Sequence, residues 1–243
     1  MEILENIVEY YDEIYPVTPE QKAFFAVESS NFSSPVRLLR VGCATGSFEH
    51  QLAKEGCDVT GIENIDELLE SANRKRRTQL MSIRFFKMSP LEMSRFLGKG
   101  FYNVISILDD RIIFTHDLVL LKKLFFDCRQ LLAKNGELIL SLLNYEKYCS
   151  DSEVNLPDVK TLRATMYSRI VTEADGSKTL DQQIETSSGR VVDVTIAAPV
   201  YPLTKSEVER LAKDAGFKTA AFYADFARSP FTPDSDRLVA VLS

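Results

Sequence analysis

The stretch from Leu38 to Glu63, LLRVGCATGSFEHQLAKEGCDVTGIE, constrains the fold more than any other part of the chain. It reads as an apolar strand, a tight loop of small residues, a helix, a second apolar strand and then a carboxylate. That order builds a nucleotide-type site from one βαβ unit. The loop lets a ligand approach the backbone, and an acid at the tip of the second strand can hold a ribose. Glu63 follows Gly42 by 21 positions, close to the roughly 20-residue interval such a unit requires.

The spacing inside the loop separates two kinds of ligand. A dinucleotide needs glycine at the first, third and sixth positions so that its pyrophosphate can sit on the helix N-terminus. Here the small residues are Gly42, Ala44 and Gly46, at the first, third and fifth, and Ser47 is the sixth. The loop also lacks the Lys followed by Ser or Thr of a phosphate-wrapping P-loop. A ligand with a ribose but no phosphate fits this pattern better. The stretch resembles the first motif of class I S-adenosylmethionine-dependent methyltransferases, an acidic residue, any residue, then GxGxG.

The resemblance implies a set of cofactor contacts. Gly42, Cys43, Ala44, Thr45 and Gly46 would approach the methionine part, Glu63 would accept from both ribose hydroxyls, and Asn64 and Ile65 would flank the adenine. Ser89 and Pro90 after the third strand, and Ile107 and Leu108 at the end of the fourth, complete the expected pocket. Tyr11, with Asp12, Tyr15 and Pro16, reproduces a Tyr-Asp and Tyr-Pro pattern that caps the pocket in relatives; the same tyrosines read equally as packing for the helix. The sequence departs from the motif at Arg40, where relatives carry an acid, at Ala44 in place of glycine, and at Ser89, where relatives place an Asp. A cation at position 40 would repel a sulfonium and an ammonium, and a hydroxyl at 89 is a weaker acceptor than a carboxylate.

Around this unit the chain alternates strands and helices. Strands are predicted near Val36 to Val41, Val59 to Glu63, Ile83 to Lys87, Tyr102 to Leu108 and Glu137 to Leu143, as a parallel doubly wound sheet demands. Helices are predicted near Ser47 to Glu55, Ile65 to Arg77, Leu91 to Phe96 and Thr115 to Leu132, with Thr115 as N-cap and KNG as a glycine stop. Residues 1 to 30 read as helical, interrupted by Pro16. After Tyr148 the texture changes to Thr, Val, Ile and Tyr runs broken at ADGS and SSGR, an antiparallel β-insertion. It resembles the insertion of the glycine and sarcosine methyltransferase relatives, where it roofs the pocket; it reads equally as a dimer surface. Arg163, Tyr167, Arg169 and Gln183 are its candidate substrate-facing residues. TKSEVERLAKDAGF from Thr204 is a helix with a Thr204 and Glu207 capping box, leading to a final antiparallel strand pair. The expected fold is thus an α/β Rossmann-like, doubly wound, mostly parallel seven-stranded sheet with that pair and a small antiparallel insertion. Its divisions are 1–148, a helical cap with the cofactor-binding core; 149–203, the insertion; and 204–243, the last helix and strands.

Asp109 and Asp110 follow the fourth strand, where ligands of such sheets bind. Adjacent carboxylates there can hold a cationic amine or take its proton, or simply cap the next turn. His116 reads as a capping-turn residue. The four cysteines, Cys43, Cys57, Cys128 and Cys149, show no zinc spacing, so no metal is expected. A net charge of -6 disfavours nucleic acid, and the RKRR run from Arg74 to Arg77 sits where cations complement a helix end, with an RNA-binding patch of an RNA methyltransferase as the lesser alternative. No leader or membrane span is expected. The resemblance implies a cytoplasmic enzyme that uses S-adenosylmethionine to methylate a nitrogen or oxygen of a small molecule, with no membrane partner and a homodimer left open. The departures motivate an alternative: a degenerate relative that binds the cofactor weakly and serves a regulatory or partner-binding role.

Overall fold

A computed structural model of the 243-residue chain describes residues 5–76, 82–148 and 152–243. Strands buried on both faces build its central sheet. Strands β1 (Arg37–Val41), β2 (Asp58–Glu63), β3 (Ile83–Lys87), β4 (Tyr102–Ile107), β5 (Leu132–Leu143), β11 (Ala220–Tyr223) and β12 (Arg237–Leu242) run in the order β11, β12, β5, β4, β1, β2, β3. The pairs among β1 to β5 are parallel, while β12 pairs antiparallel with both β5 and β11. The strand order reverses between β1 and β4, which opens a crevice at their carboxyl ends.

Successive residues of a strand face opposite sides, and the two cores follow that rule. Leu38, Val59, Val104, Ile139 and Val239 join Phe24 and Phe25 of α2 (Pro19–Ser29) and Phe48 and Leu52 of α3 (Ser47–Lys54). Their neighbours Leu39, Ile105, Leu138, Leu140 and Ala240 join Leu121, Leu124 and Phe125 of α6 (Leu118–Leu131) and Val208 and Leu211 of α8 (Lys205–Asp214). The capping box at Thr204 and Glu207 is present in both directions. Thr204→Ala is expected to cost about 1 kcal/mol, measured by chemical denaturation with unchanged ligand binding.

Two local expectations are corrected. The cap of α6 is Asp117, whose carboxylate accepts from the Val119 and Leu120 amides, rather than Thr115. The KNG run lies within β5, with Asn135 in the left-handed region at φ 62°. Of the RKRR run, Arg74 and Lys75 are exposed near the end of α4 (Asp66–Arg76), Lys75 pairs with Asp12 at 2.6 Å, and Arg77 lies outside the described residues.

The insertion forms a second sheet, β10 (Val191–Val200), β9 (Lys178–Thr186), β8 (Ala164–Thr172) and β6 (Glu153–Asn155), with β7 (Val159–Lys160) beside β8. Its inner face places Ala164, Met166, Ile184 and Val194 against Ile7, Tyr11 and Ile14 of the N-terminal segment, which includes α1 (Tyr11–Ile14). Cap and insertion therefore share one small core. Among the described residues no helix is long and apolar enough to cross a membrane.

Candidate active site

The tip of β2 organises the site. Glu63 is 1% exposed. Its carboxylate accepts from the backbone amides of Ala44 at 2.9 Å, Asn64 at 2.9 Å and Ile65 at 3.2 Å. Such charge-assisted bonds fix the loop to the strand. The loop turns through left-handed conformations at Gly42 (φ 72°), Ala44 (φ 49°) and Gly46 (φ 70°). At Gly46 a side chain would strike the Phe85 ring and Ala72, so this glycine serves helix-on-sheet packing. At Gly42 a Cβ would lie 2.9 Å from Nε of Arg111, so the space over this glycine is used by another side chain.

Arg111 is the residue that sequence reasoning missed. Its Nη2 donates to both oxygens of Glu63, at 2.6 and 2.8 Å, and its buried Nη1 makes no hydrogen bond among the described residues. The available signal was a lone arginine directly after two aspartates at a strand tip. Burial opposes charge on Arg111, but Glu63 overrides it and holds the guanidinium more basic than usual.

Two cavities meet at this arginine. The first, of 190 Å³, is lined by Gly42, Glu63, Asn64, Ile65, Ser89, Pro90 and Ile107 among others. The second, of 300 Å³, lies under the cap and insertion and brings together Tyr11, Tyr15, Asp109, Asp110, Tyr145 and Gln182. Arg111 and Phe114 line both. Cys43 and Thr45 border a cleft of only 20 Å³ beside Arg40, and Ala44, Gly46 and Leu108 line none of the three. The sequence motif thus divides between residues that face the cavity and residues that shape the loop.

Arg40 is charge-balanced rather than a free cation. It is 5% exposed, donates from Nη2 to Asp109 at 2.7 Å, and lies 3.6 Å from Glu49. Tyr11 donates to the same Asp109 oxygen at 3.2 Å. The expected repulsion of a cationic ligand is therefore offset by Asp109, in the turn after β4, and Glu49 of α3. Burial pushes the Glu49 carboxyl up to about 7, against a partial offset from Arg40. The unfolded chain loses this proton near 4.5 and the folded one near 7, so stability falls as pH rises through that window and is level above it. Glu49→Gln removes this slope. Its stability relative to the parent is expected to rise by on the order of 3 kcal/mol between pH 4.5 and 7; parallel denaturation profiles would show that Glu49 ionises at its ordinary pH.

Asp110 is a hub. Its carboxylate accepts from the Leu143 amide, from Tyr145 Oη at 3.2 Å and from Arg237 Nη2 at 3.1 Å. Burial, then Asp109 or Asp110, pushes the hydroxyls of Tyr11, Tyr15 and Tyr145 well up. These tyrosines stay protonated, and Tyr11 and Tyr145 donate to the two aspartates. Ser89 accepts from the Leu91 amide at 3.3 Å and keeps its own proton to donate. The insertion's register corrects the expectation for its candidates. Arg163 pairs with Glu9 and Glu13, Tyr167 with Glu185, Arg169 with Glu153 and Asp181, and Gln183 with Asp193, all among exposed contacts. Met166, Ser168 and Gln182 face the cavity instead. Cys43, Cys57 and Cys128 are buried free thiols, and Cys149 lies outside the described residues. Among the described residues no group of three potential ligands could hold a metal.

A reversal-point crevice with a strand-tip carboxylate and a small-residue loop defines a nucleoside-binding α/β protein of the methyltransferase type. The chain belongs to the methyltransferase domain family, whose pattern matches residues 32–216. Its fold is similar to that of the CcbJ methyltransferase from Streptomyces caelestis, at 16% identity over 99% of this chain and 96% of that one, TM-score 0.81. It is also similar to an S-adenosylmethionine-dependent methyltransferase from Clostridium acetobutylicum, at 16% identity over 98% and 97%, TM-score 0.77. A third likeness is to CalS10, an amino pentose methyltransferase from Micromonospora echinaspora with S-adenosylmethionine bound, at 15% identity over 98% and 97%, TM-score 0.67. At these identities the likeness is one of fold. A methyltransferase-named protein of Geobacillus sp. (strain WCH70) is 29% identical over 106 residues, 44% of this chain, and the match spans 42% of that relative.

Proposed function

We propose that this chain is an S-adenosylmethionine-dependent methyltransferase acting on the amine of a small molecule. The observation that carries it is the meeting of Gly42, Glu63, Asn64, Ile65, Ser89 and Pro90 in one cavity at the sheet's reversal point. These residues fit the cofactor's nucleoside: a buried carboxylate for the ribose and apolar walls for the adenine. S-adenosylmethionine, when bound, supplies an electrophilic methyl group on a cationic sulfur. Glu63 would hold the ribose, Asn64, Ile65 and Pro90 the adenine, and Asp109 the cationic end of the amino acid.

The second cavity supports an amine acceptor. Its carboxylate Asp110 can attract a cationic amine and accept its proton, while the tyrosines beside it, held protonated, do not serve as bases. Positioning and exclusion of water by the cap and insertion supply the rest of the catalysis. That CalS10 is described as an amino pentose methyltransferase and a further fold neighbour, KedS8 from Streptoalloteichus, as a sugar N-methyltransferase accords with this choice. In this reading residues 1–148 form cap and cofactor core, 149–203 the lid and 204–243 the closing segment. Three buried free thiols suit a reducing cytoplasm.

Titration calorimetry with S-adenosylhomocysteine tests the cofactor site. A dissociation constant in the micromolar range is expected, equivalent to roughly 8 kcal/mol; absence of heat at millimolar ligand would overturn the reading. A panel of amino sugars and their hydroxyl analogues, assayed with methyl-labelled cofactor, separates nitrogen from oxygen acceptors.

A further inference from the structure

The ion pair between Arg111 and Glu63 stands where the proposed ribose contacts belong. The guanidinium engages both carboxylate oxygens, and both side chains are nearly inaccessible, at 9% and 0%. A neutral ribose cannot take over Glu63 while leaving a buried guanidinium without an anion, because stranding one charge of a buried pair is strongly unfavourable. Arg111 must therefore leave with a new counter-ion at hand.

The structure offers that destination. Arg111 lines the acceptor cavity as well as the nucleoside cavity, and the acceptor cavity contains Asp109, Asp110, Asp158 and Asp236, which in the closed position pair with Arg40, Arg237, Lys160 and Lys147 and would share their charge with an arriving guanidinium. Its buried Nη1, without a hydrogen bond among the described residues, leaves one end of the guanidinium unsatisfied in the closed position. The two residues before it, Asp109 at φ 56° and Asp110 at φ 59°, both occupy the left-handed region. Paired strained residues of this kind cluster at sites that hold or switch a geometry.

Resting on the reading of the first cavity as the cofactor site, we propose that Arg111 is a latch. It closes the site by pairing with Glu63 and opens it by turning toward the acidic acceptor cavity. Nucleoside binding and the Glu63–Arg111 pair are mutually exclusive, so the measured affinity is the intrinsic affinity scaled by the open fraction. Opening also places a guanidinium among the carboxylates that would receive the amine, which couples cofactor occupancy to the charge of the acceptor cavity.

The test is calorimetric titration of the full chain, Arg111→Gln and Arg111→Met with S-adenosylhomocysteine and, separately, with adenosine, which lacks the amino-acid tail. Both variants are expected to bind both ligands at least tenfold more tightly than the parent. If the parent binds and neither variant gains, the latch falls and the cofactor reading stands. If the variants lose affinity for S-adenosylhomocysteine but not for adenosine, Arg111 holds the tail, and the latch is again overturned. If neither parent nor variants bind either ligand at millimolar concentration, both readings fall. A thermal melt checks folding, and Arg111→Gln, which retains a donor toward Glu63, serves where Arg111→Met does not fold.

Discussion

Glu63→Ala is expected to lower affinity for S-adenosylhomocysteine by more than a hundredfold and to destabilise the fold by about 3–5 kcal/mol. Both effects have one source. The carboxylate satisfies the amides of Ala44, Asn64 and Ile65 and neutralises Arg111, all in a buried setting. Alanine leaves three donors and one guanidinium without a partner and unties the loop from β2. Glu63→Gln keeps the volume and one carbonyl acceptor, so its loss of stability should be smaller, while ribose recognition still suffers. Calorimetry and urea denaturation measure the two effects separately. Unchanged binding in Glu63→Ala would show that the nucleoside lies elsewhere.

Asp110→Ala is expected to remove most methyl transfer and to cost about 3 kcal/mol of stability, the sum of an unpaired Leu143 amide, a freed Arg237 and an alanine forced into the left-handed region. Asp110→Asn separates these contributions. Asparagine tolerates the left-handed backbone and still accepts hydrogen bonds, so stability should be largely retained. Without the charge, the KM for an amine acceptor should rise at least tenfold while the affinity for S-adenosylhomocysteine stays within twofold. Equal losses in both affinities would assign Asp110 to the scaffold alone.

The fold was legible because its signals are local and repeated. Each strand of the parallel core is a short apolar run, and the helix before the final strand pair carries its own start and stop at Thr204 and Gly216. The final antiparallel pair was announced by the helix that precedes it. Only the ends slipped, and for local reasons: Asp117 competes with Thr115 for the cap of α6 and wins because its carboxylate reaches two amides.

The lining of the first cavity was legible where one segment supplies it, as with Gly42, Glu63 and Asn64. It was illegible where partners come from distant segments. No local pattern tells that Arg40 meets Asp109, that Arg111 covers Glu63, or that Arg237 reaches Asp110 across 127 positions. The face of the insertion that looks inward was equally hidden. One residue of register exchanges Tyr167 and Gln183 for Ser168 and Gln182, and only the pairing with the N-terminal segment fixes it.

The walls of the two cavities come from very different spans of the chain. Everything that lines the nucleoside side falls between Val41 and Leu124, whereas the acceptor side draws on Tyr11 at one end and Arg237 at the other. Yet Leu124, which lines the first cavity, packs in one core with Val208, Leu211 and Ala240 from the far end of the chain, and a domain folds as a unit. Both cavities therefore depend on completion of the same sheet, and a prematurely terminated product is expected to lose the two together.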